Sequence, residues 1–286
     1  MHFVEAKGIL SQSGGMNVYR GCSHGCIYCD SRSACYNMQH KFEDIEVKIN
    51  APQLLETALR KKKSPIMVGT GSMCDPYMHI ENELQLTRKC LQIIEKYGFG
   101  ATVITKSKNV LRDMDLYKSI NKKSKAVIQM TLTTFDENLC KILEPNVSTA
   151  KERFEALTEF KKEGIPTVVW LTPILPFIND TEENLRGILN YCFEAGVKGI
   201  LFFGMGLTLR GGNREYFYKA LDKYFPGLKE KYIKKYGESY SLLSDNNSCL
   251  MKIFHSECEK HGVMHNVDEI FSYLHKFPFE EQISLF

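Results

Sequence analysis

Residues 101–134 read ATVITKSKNVLRDMDLYKSINKKSKAVIQMTLTT and contain two apolar runs with a polar, helix-forming segment between them. The two ends of this stretch, ATVITK (101–106) and AVIQMTLTT (126–134), consist mostly of Val, Ile, Thr and other strand-forming residues. Continuous apolar runs of this kind are typical of strands buried on both faces, as in parallel sheets. Between them, residues 109–120 have the periodicity of an amphipathic helix. The stretch therefore predicts a strand–helix–strand unit with parallel strands.

The same alternation continues in both directions along the chain. Further strands are predicted at 16–20, 65–71, 166–175 and 197–205, and further helices at 52–62, 81–97, 148–163 and 181–195. Glycine follows three of these helices, as expected for left-handed C-caps, at positions Gly98, Gly164 and Gly196. Six strands joined by right-handed crossovers curl into a partial barrel or spread into an open doubly wound sheet. The fold class is α/β in both cases.

The pattern changes after about residue 212. Residues 213–236 and 245–260 are predicted to be helices rich in Tyr, Lys and Glu, with no strand between them. No polar linker separates them from the rest of the chain. We therefore predict an α/β part at 1–212 and a helical C-terminal extension at 213–286 that packs on it.

Composition excludes several classes of protein. Of the 286 residues, 43% are hydrophobic and 25% charged, which is typical of an ordered globular chain. The net charge of +3 favours neither an acidic nor a basic partner, so nucleic acid is only weakly supported. No apolar run reaches the roughly 18 residues that a membrane span needs. The first residues, MHFVEAKGIL, lack the features of a secretory signal, and we expect a cytoplasmic protein.

Three of the ten cysteines lie within eight residues, in the order Cys22-Ser23-His24-Gly25-Cys26-Ile27-Tyr28-Cys29. Three thiolates can bind three irons of a [4Fe–4S] cubane and leave the fourth iron open, whereas an electron carrier has a fourth cysteine ligand. The alternative is a zinc knuckle, with His24 or Cys35 as fourth ligand. Zinc sites usually have two short ligand pairs, and no second pair follows here. The spacing therefore favours an iron–sulfur cluster with an open position.

Polar and glycine-rich segments follow the predicted strands, where the ligand sites of parallel α/β folds lie. These segments are GTGSMCDPY (69–77), TKS (105–107), TLTTFD (131–136), PILPFIND (173–180) and GMGL (204–207). The strand ends thus predict one shared site beside the cysteine loop.

Several motifs together resemble the radical S-adenosylmethionine (SAM) superfamily, in its spore photoproduct lyase-like branch, also called DNA repair photolyase-like. The spacing Cys-x-x-x-Cys-x-x-Cys, with an aromatic residue before the third cysteine, resembles the superfamily. The similarity to the branch rests on Asn17–Cys22, Gly71–Glu81 with Asp75-Pro76-Tyr77, Thr105-Lys106-Ser107 with Arg112-Asp113, Glu144-Pro145, Pro173–Pro176 and Asn179-Asp180. Members of the branch differ in substrate, so the resemblance implies a scaffold rather than a reaction.

The resemblance implies a partial (β/α)6 TIM-type barrel, a [4Fe–4S] cluster on Cys22, Cys26 and Cys29, and SAM as a second cofactor. It also implies reductive cleavage of SAM to a 5′-deoxyadenosyl radical, which abstracts a hydrogen atom from a substrate. An electron donor such as flavodoxin or ferredoxin is then a partner. The substrate stays open among a nucleic-acid lesion, a peptide and a small molecule.

The resemblance also assigns residues to SAM. Gly69, Gly71 and Ser72 correspond to the segment that binds its amino group, and Lys106 to the group that contacts its carboxylate. Tyr28 is expected beside the adenine. The hydroxyls of Thr131 and Thr133 share one face of their strand and are expected to reach the ribose or carboxylate. A tight turn, a surface lysine and ordinary strand threonines are the structural alternatives.

Cys74 is the predicted hydrogen-atom donor to the product radical, with Tyr77 as a relay. Cysteine is also a good apolar filler at a strand end, and the two interpretations are left open. Asp75, Tyr77, Glu81 and Glu144 are candidates for the substrate side.

Other signals and functions are weaker. His255, Cys258, His261 and His265 are a possible second metal site or simply helix packing, and Lys229, Lys231, Lys234 and Lys235 are a possible nucleic-acid contact or a solvated face. The alternatives to a radical SAM enzyme are a non-catalytic iron–sulfur redox or sensor protein and a zinc-stabilised binding module.

Overall fold

The structure is a computed structural model that describes residues 1–278. Its strands are β1 (His2–Val4), β2 (Gly15–Met16), β3 (Tyr19–Arg20), β4 (Glu46–Lys48), β5 (Met67–Thr70), β6 (Gly100–Thr105), β7 (Ala126–Thr131), β8 (Thr167–Trp170), β9 (Gly199–Leu201), β10 (Gly206–Thr208) and β11 (Ser241–Leu243). Its helices are α1 (Ala51–Arg60), α2 (Glu81–Leu84), α3 (Leu86–Lys96), α4 (Met114–Lys123), α5 (Glu137–Leu143), α6 (Ala150–Lys162), α7 (Glu182–Glu194), α8 (Asn213–Tyr224), α9 (Leu228–Tyr236), α10 (Asn247–His261) and α11 (Val267–His275).

Six parallel strands form the main sheet, in the order β2-β5-β6-β7-β8-β9. Neighbours in this order are also successive strands of the sheet along the chain, so each crossover adds one strand at the same edge. The register places Val103 of β6 beside Ile128 of β7, and Met130 of β7 beside Val169 of β8. The α/β class and the six-stranded, partial TIM-type barrel are therefore confirmed.

The central strand β7 shows why the apolar runs form this sheet. All of its six residues are buried, because α4 and α6 pack against it from outside. Ile120 of α4 and Phe160 of α6 are fully buried and supply part of that layer. Helices therefore cover the outer face of the sheet, and the carboxyl ends of the strands are left to build a site.

Side-chain caps start several helices just after the strand ends. Thr149 and Glu152 form a reciprocal capping box at α6, and the hydroxyl of Thr181 accepts a hydrogen bond from the backbone of Asn184 at α7. At the other ends, Gly164 and Gly196 have positive φ angles, in agreement with their predicted role as C-caps.

Two predicted elements near the cysteine loop are wrong in detail. The strand expected at 16–20 is two strands: β2 joins the main sheet beside β5, whereas β3 belongs to a small sheet with the order β1-β4-β3. The helix expected at 81–97 is interrupted at Gln85, which has a φ of +51°. The left-handed backbone at this residue ends α2 and begins α3.

The prediction that no strand lies beyond residue 212 is wrong. β11 pairs antiparallel with β10, with Leu207 opposite Leu242. Both leucines are buried in one apolar cluster, so the pairing is driven by side chains that the helical pattern obscured. The helix expected at 213–236 is divided into α8 and α9 around Pro226, since proline cannot continue a helix.

Helices α10 and α11 pack against the last strand of the main sheet. Phe254 of α10 contacts Phe202, with ring centroids 5.1 Å apart, and Ile270 of α11 is buried near Gly199. The division at residue 212 stays a prediction, and residues 279–286 of the predicted extension lie outside the described residues. Among the described helices, none is long and apolar enough to cross a membrane.

Candidate active site

A cavity of about 570 Å³ opens at the carboxyl ends of the parallel strands. Thr131 and Trp170, the last residues of β7 and β8, lie in its wall, as does Gly71 directly after β5. The predicted site residues that line it are Cys22, Cys26, Tyr28, Cys29, Gly71, Ser72, Cys74, Lys106 and Thr131. Gly69, Tyr77 and Thr133 are not among the lining residues. The structure therefore brings nine of the twelve predicted site residues to one cavity.

The cysteine loop is held over the cavity by backbone hydrogen bonds. The amide of Cys22 donates to the carbonyl of Phe42 at 3.2 Å, and that of Ile27 donates to the carbonyl of Leu143 at 2.9 Å. Gly21 has a φ of +86°, and a Cβ atom there would lie 2.5 Å from the oxygen of Phe42. A side chain would collide with this carbonyl, so glycine is required where the chain passes residue 42 and enters the cysteine loop.

The three cysteines fit an iron–sulfur cluster better than a single zinc ion. Within residues 1–278, the one group of three potential ligands whose atoms all lie within 4.8 Å of one another is His2, His40 and Asp44. The three cysteine sulfurs are therefore more widely spread, whereas the ligands of one zinc ion lie about 4 Å apart. All three thiols are free. Because the three sulfurs do not all lie within 4.8 Å of one another, this donor set suits a cluster of several irons rather than one zinc ion.

Burial governs the protonation of two of these thiols. It raises the pKa of Cys22 to about 12 and the pKa of Cys26 well above its usual range. Both thiols are thus neutral in the metal-free protein, and metal binding must release their protons. The other set of potential metal ligands, His2, His40 and Asp44, has a different explanation. Asp44 contacts the amine of Met1 and the ring of His2, so an ion-pair network accounts for the proximity of these residues.

Lys106 extends from the end of β6 into the cavity. Its Nζ lies 5.9 Å from the centroid of the Tyr28 ring. Burial disfavours its charge, but interactions with the nearby acidic groups Cys26 and Glu144 outweigh this effect and raise the pKa of Lys106. Of these two groups, Glu144 is the one that is charged, because the Cys26 thiol is neutral. Among the described residues, no carboxylate forms an ion pair with this ammonium. The cavity therefore presents a cation that is free to bind an anionic group.

Asp75 fixes the backbone on which Lys106 stands. Its carboxylate accepts hydrogen bonds from the amide of Lys106 at 2.7 Å and from the hydroxyl of Thr105 at 2.7 Å. The ring of His24 in the cysteine loop lies 3.4 Å away. Burial lowers the pKa of His24, which is therefore neutral at pH 7. Asp75 lines the cavity and joins the cysteine loop to the end of β6.

The glycine-rich segment after β5 comes very close to the neighbouring strand. Gly71 has a φ of +104°, and a Cβ atom there would lie 2.0 Å from the carbonyl oxygen of Ile104. This exposes the backbone of Gly71 and Ser72 to the cavity. Gly69 lies two residues earlier, within β5, where its amide donates to the carbonyl of Gly14.

Thr131 and Thr133, at and just beyond the end of β7, have different surroundings. β7 ends at Thr131, so the alternation of side chains does not extend to Thr133. The hydroxyl of Thr133 instead lies 3.4 Å from the carboxylate of Glu144, behind the cavity wall. The expectation that both hydroxyls face the cavity is therefore wrong for Thr133.

A network behind the wall, which we call the cavity network, consists of Tyr28, Glu144 and Arg153. The Tyr28 hydroxyl and the Arg153 guanidinium both donate to the Glu144 carboxylate. Both charged side chains are 1% exposed. Arg153 and Lys106 hold the pKa of Glu144 low against the effect of burial. Glu144 therefore lies behind Tyr28 and not on the substrate side.

A second network, which we call the outer network, consists of Tyr19, Glu81 and Arg112. The Tyr19 hydroxyl donates to the Glu81 carboxylate, and Arg112 donates to it at 2.9 Å. None of these three residues lines the cavity. Glu81 is thus a structural carboxylate, and the expectation of a substrate-side role is not supported.

Cys74 and Tyr77 point in different directions. The Cys74 thiol lines the cavity and donates to the carbonyl oxygen of Tyr19 at 3.0 Å, and burial raises its pKa above the usual range. The hydroxyl of Tyr77 is buried against Asp113 at 3.0 Å and Tyr117 at 2.8 Å. This geometry gives no support to a relay from Cys74 through Tyr77.

The mouth of the cavity contains residues that sequence analysis missed. Trp170 and Phe203 have ring centroids 6.0 Å apart, and Leu243 of β11 also lines the cavity. Phe203 is 56% and Leu243 49% exposed, which is unusual for large apolar side chains. The pairing of β10 with β11 brings Leu243 here, and nothing in the helical pattern of the sequence indicates it.

The weaker candidates lie elsewhere. The ring of His261 stacks on Phe193 with centroids 3.8 Å apart, and Cys258 is fully buried in the core. Lys229 and Lys235 form ion pairs with Asp222 and Asp245. These contacts are those of ordinary packing and of a solvated helix face.

The fold and the cavity together define an α/β enzyme whose site combines a three-cysteine metal loop with a free cation at the strand ends. The family model of the radical SAM superfamily matches residues 16–192, more than half of the chain. This protein belongs to that superfamily, and its cofactors are therefore a [4Fe–4S] cluster and SAM.

Its relatives include an uncharacterized protein of Methanocaldococcus jannaschii, 35% identical over 169 residues, which are 58% of this chain and 62% of the relative. An uncharacterized protein of Mycobacterium tuberculosis is 28% identical over 229 residues, 77% of this chain and 66% of the relative. The chain thus spans just under two thirds of the length of these relatives. A structure of spore photoproduct lyase complexed with dinucleoside spore photoproduct has a TM-score of 0.68 at 15% identity, covering 92% of this chain and 80% of that one. At this identity, the similarity shows the fold alone.

Proposed function

We propose that this chain cleaves SAM reductively and directs the radical to a substrate bound at the mouth of the cavity. The observation that supports this function is that Cys22, Cys26, Cys29 and Lys106 open onto one cavity of about 570 Å³. Such a volume accommodates a small organic cofactor and part of a substrate. When bound, the cluster and SAM supply a 5′-deoxyadenosyl radical, which abstracts a hydrogen atom.

The residues of the floor bind and orient SAM. Cys22, Cys26 and Cys29 would hold the cluster, and three thiolates leave it able to take a further ligand. Lys106 donates to the carboxylate of SAM in a charge-assisted hydrogen bond. The exposed backbone of Gly71 and Ser72 offers polar groups to its amino end.

The walls orient the rest of the cofactor. Thr131, the last residue of β7, and Tyr28, which precedes Cys29 in the chain, both line the cavity. The ring is a flat apolar surface against which an adenine can lie. Gly69 acts indirectly through the packing of β5, and Thr133 through its contact with Glu144.

The apolar mouth receives the substrate and excludes water. Trp170, Phe203 and Leu243 carry no charge, and the indole N–H of Trp170 is already bonded to Gln129 at 2.7 Å. An uncharged part of the substrate therefore fits here. Exclusion of water and of side reactions is what radical chemistry requires of a protein site.

Cys74 is our candidate for the return of a hydrogen atom to the substrate radical. Its thiol is neutral, because burial raises its pKa, and it lines the same cavity as Lys106. In this step the S–H bond breaks, a C–H bond forms, and a thiyl radical stays on Cys74. One electron from the flavodoxin- or ferredoxin-type donor and a proton from solvent then restore the thiol.

The proposal is tested with anaerobically reconstituted full-length protein. We expect about four irons per chain and slow formation of 5′-deoxyadenosine from SAM and dithionite without added substrate. A protein that takes up the cluster and is reduced, yet forms no 5′-deoxyadenosine at any SAM concentration, would instead be a non-catalytic redox protein. Lesion-containing DNA, peptides and small molecules are then screened for acceleration of this reaction.

A further inference from the structure

The cavity network connects two walls of the cavity that are distant in sequence. Tyr28 and Glu144 are 116 positions apart. Arg153 continues the network, because its Nη1 donates to the carbonyl of Thr131 at 2.9 Å and its Nε to the carbonyl of Ser148 at 2.8 Å. The cysteine loop and the end of β7 are thus tied to one carboxylate–guanidinium pair.

The burial of this pair needs an explanation. Glu144 and Arg153 are both 1% exposed, and removing two charges from water costs free energy that their attraction often fails to offset. Apolar residues of the same volume would stabilise the core equally well. What apolar residues would not do is hold a tyrosine hydroxyl and a backbone carbonyl in fixed directions.

We propose that Glu144 and Arg153 are positioning residues, which fix the ring of Tyr28 and the end of β7 around SAM without touching it. This inference rests on the proposed function, since Tyr28 and Thr131 are assigned there to SAM. The hydroxyl of Tyr28 is anchored to Glu144 on the side away from the cavity. The ring consequently has one orientation relative to Cys26 and Lys106.

Loss of the anchor leaves the ring in place but free to turn. We therefore expect poorer binding of SAM with an intact cluster, rather than loss of the site. Tyr28→Phe removes the hydroxyl alone, and Glu144→Gln removes the charge that holds both Tyr28 and Arg153. The outer network provides the matched control, since Glu81→Gln removes the same charge from the same kind of buried network outside the cavity.

The experiment compares these variants as cluster-loaded proteins. Iron content, the electron paramagnetic resonance spectrum of the reduced cluster with and without SAM, and KM and kcat for 5′-deoxyadenosine formation are measured. For Tyr28→Phe and Glu144→Gln we expect unchanged iron, a KM for SAM raised about tenfold and an altered spectrum of the SAM complex. For Glu81→Gln we expect KM within about twofold of the parent and an unaltered spectrum, although the protein melts at a lower temperature.

The double variant Tyr28→Phe/Glu144→Gln tests whether Glu144 acts through Tyr28. Residues in one network are not additive, so adding Glu144→Gln to Tyr28→Phe should raise KM by less than about threefold. Unchanged KM and spectrum in Tyr28→Phe, or an equal rise of KM in Glu81→Gln, would overturn the inference, even if Glu144→Gln does not fold. A parent protein that forms no 5′-deoxyadenosine would overturn both this inference and the proposed function.

Discussion

The cavity network and the outer network are built from the same three groups, a tyrosine hydroxyl, a glutamate carboxylate and an arginine guanidinium. They differ in what surrounds them. The arginine of the cavity network is 1% exposed, whereas the arginine of the outer network is 24% exposed and also pairs with Asp113. The tyrosine of the cavity network lines the site, and the tyrosine of the outer network does not.

This difference shows that chemistry alone does not identify a functional carboxylate. Glu81 and Glu144 are equally plausible substrate-side groups in the sequence, since both follow polar segments at strand ends. In the structure, both carboxylates accept hydrogen bonds from buried donors, and neither lines the cavity. The two carboxylates differ in the tyrosine that each one binds: Glu144 binds Tyr28, which lines the cavity, and Glu81 binds Tyr19, which does not.

The largest difference is expected between cysteines of the cavity and a cysteine beside the outer network. Cys22→Ala, Cys26→Ala and Cys29→Ala should each abolish the cluster, because a cubane with an open iron has no protein ligand to spare. Cys90→Ala is the control, since this buried thiol lies beside the outer network. Iron content and visible absorbance after anaerobic reconstitution measure the effect. Full iron content in a variant that combines all three changes, Cys22→Ala, Cys26→Ala and Cys29→Ala, would rule out the cysteine loop as the cluster site.

The next contrast concerns the stability of the two networks. Arg153→Met leaves a fully buried carboxylate without its cation, and should lower the free energy of unfolding by about 3–5 kcal/mol. Arg112→Met should cost about 1–3 kcal/mol. Glu81 is as buried as Glu144, but it retains hydrogen bonds from the backbone amides of Thr87 and Arg88, and the partly exposed Arg112 side chain leaves water access when it is removed. Urea denaturation of the cluster-free chains measures both. An equal fall in the free energy of unfolding of the two variants would show that the burial of the arginine does not distinguish the networks.

Much of the fold follows from the sequence for physical reasons. Six apolar runs with helical segments between them specify a parallel sheet, because only such a sheet buries both faces of its strands. The ends of elements are less well specified. Thr133 is a good strand former, yet β7 ends at Thr131 because the chain turns there toward α5. The side-chain alternation assumed for these two threonines therefore fails.

The candidate site was predictable where it depends on local sequence. The cysteine loop, Gly71 and Lys106 are close to strand ends, and topology brings strand ends together. Long-range contacts were not predictable. Leu243 reaches the cavity only because β11 pairs with β10, and Arg153 reaches Thr131 only because α6 packs behind β7. Neither contact leaves a periodic signal in the chain.

A smaller effect is expected for the cation of the cavity floor. Lys106→Ala should weaken SAM binding by about 1.5–3 kcal/mol, or roughly 10- to 150-fold, since a charge-assisted hydrogen bond is removed. The cluster should be unaffected. Lys108→Ala is the matched control, because its exposed ammonium pairs with Glu152. Equilibrium binding of SAM to the cluster-loaded protein measures the change, and an unchanged affinity would remove Lys106 from the SAM site.

The smallest effect on binding, and the most specific effect on chemistry, is expected at Cys74. This thiol joins the two regions, because it lines the cavity and donates to the backbone carbonyl of Tyr19, whose hydroxyl belongs to the outer network. Cys74→Ala removes one weak hydrogen bond and a small volume, so we expect stability to fall by only about 1 kcal/mol. Iron content, SAM affinity and 5′-deoxyadenosine formation should stay close to those of the parent.

With a substrate identified by screening, however, the Cys74→Ala variant should accumulate altered products, since no thiol returns a hydrogen atom to the substrate radical. Mass spectrometry in deuterated buffer measures this, because an exchangeable thiol carries deuterium into the normal product. If the variant gives the normal product at the normal rate and with the same deuterium content, Cys74 only packs the end of β5 against the small sheet.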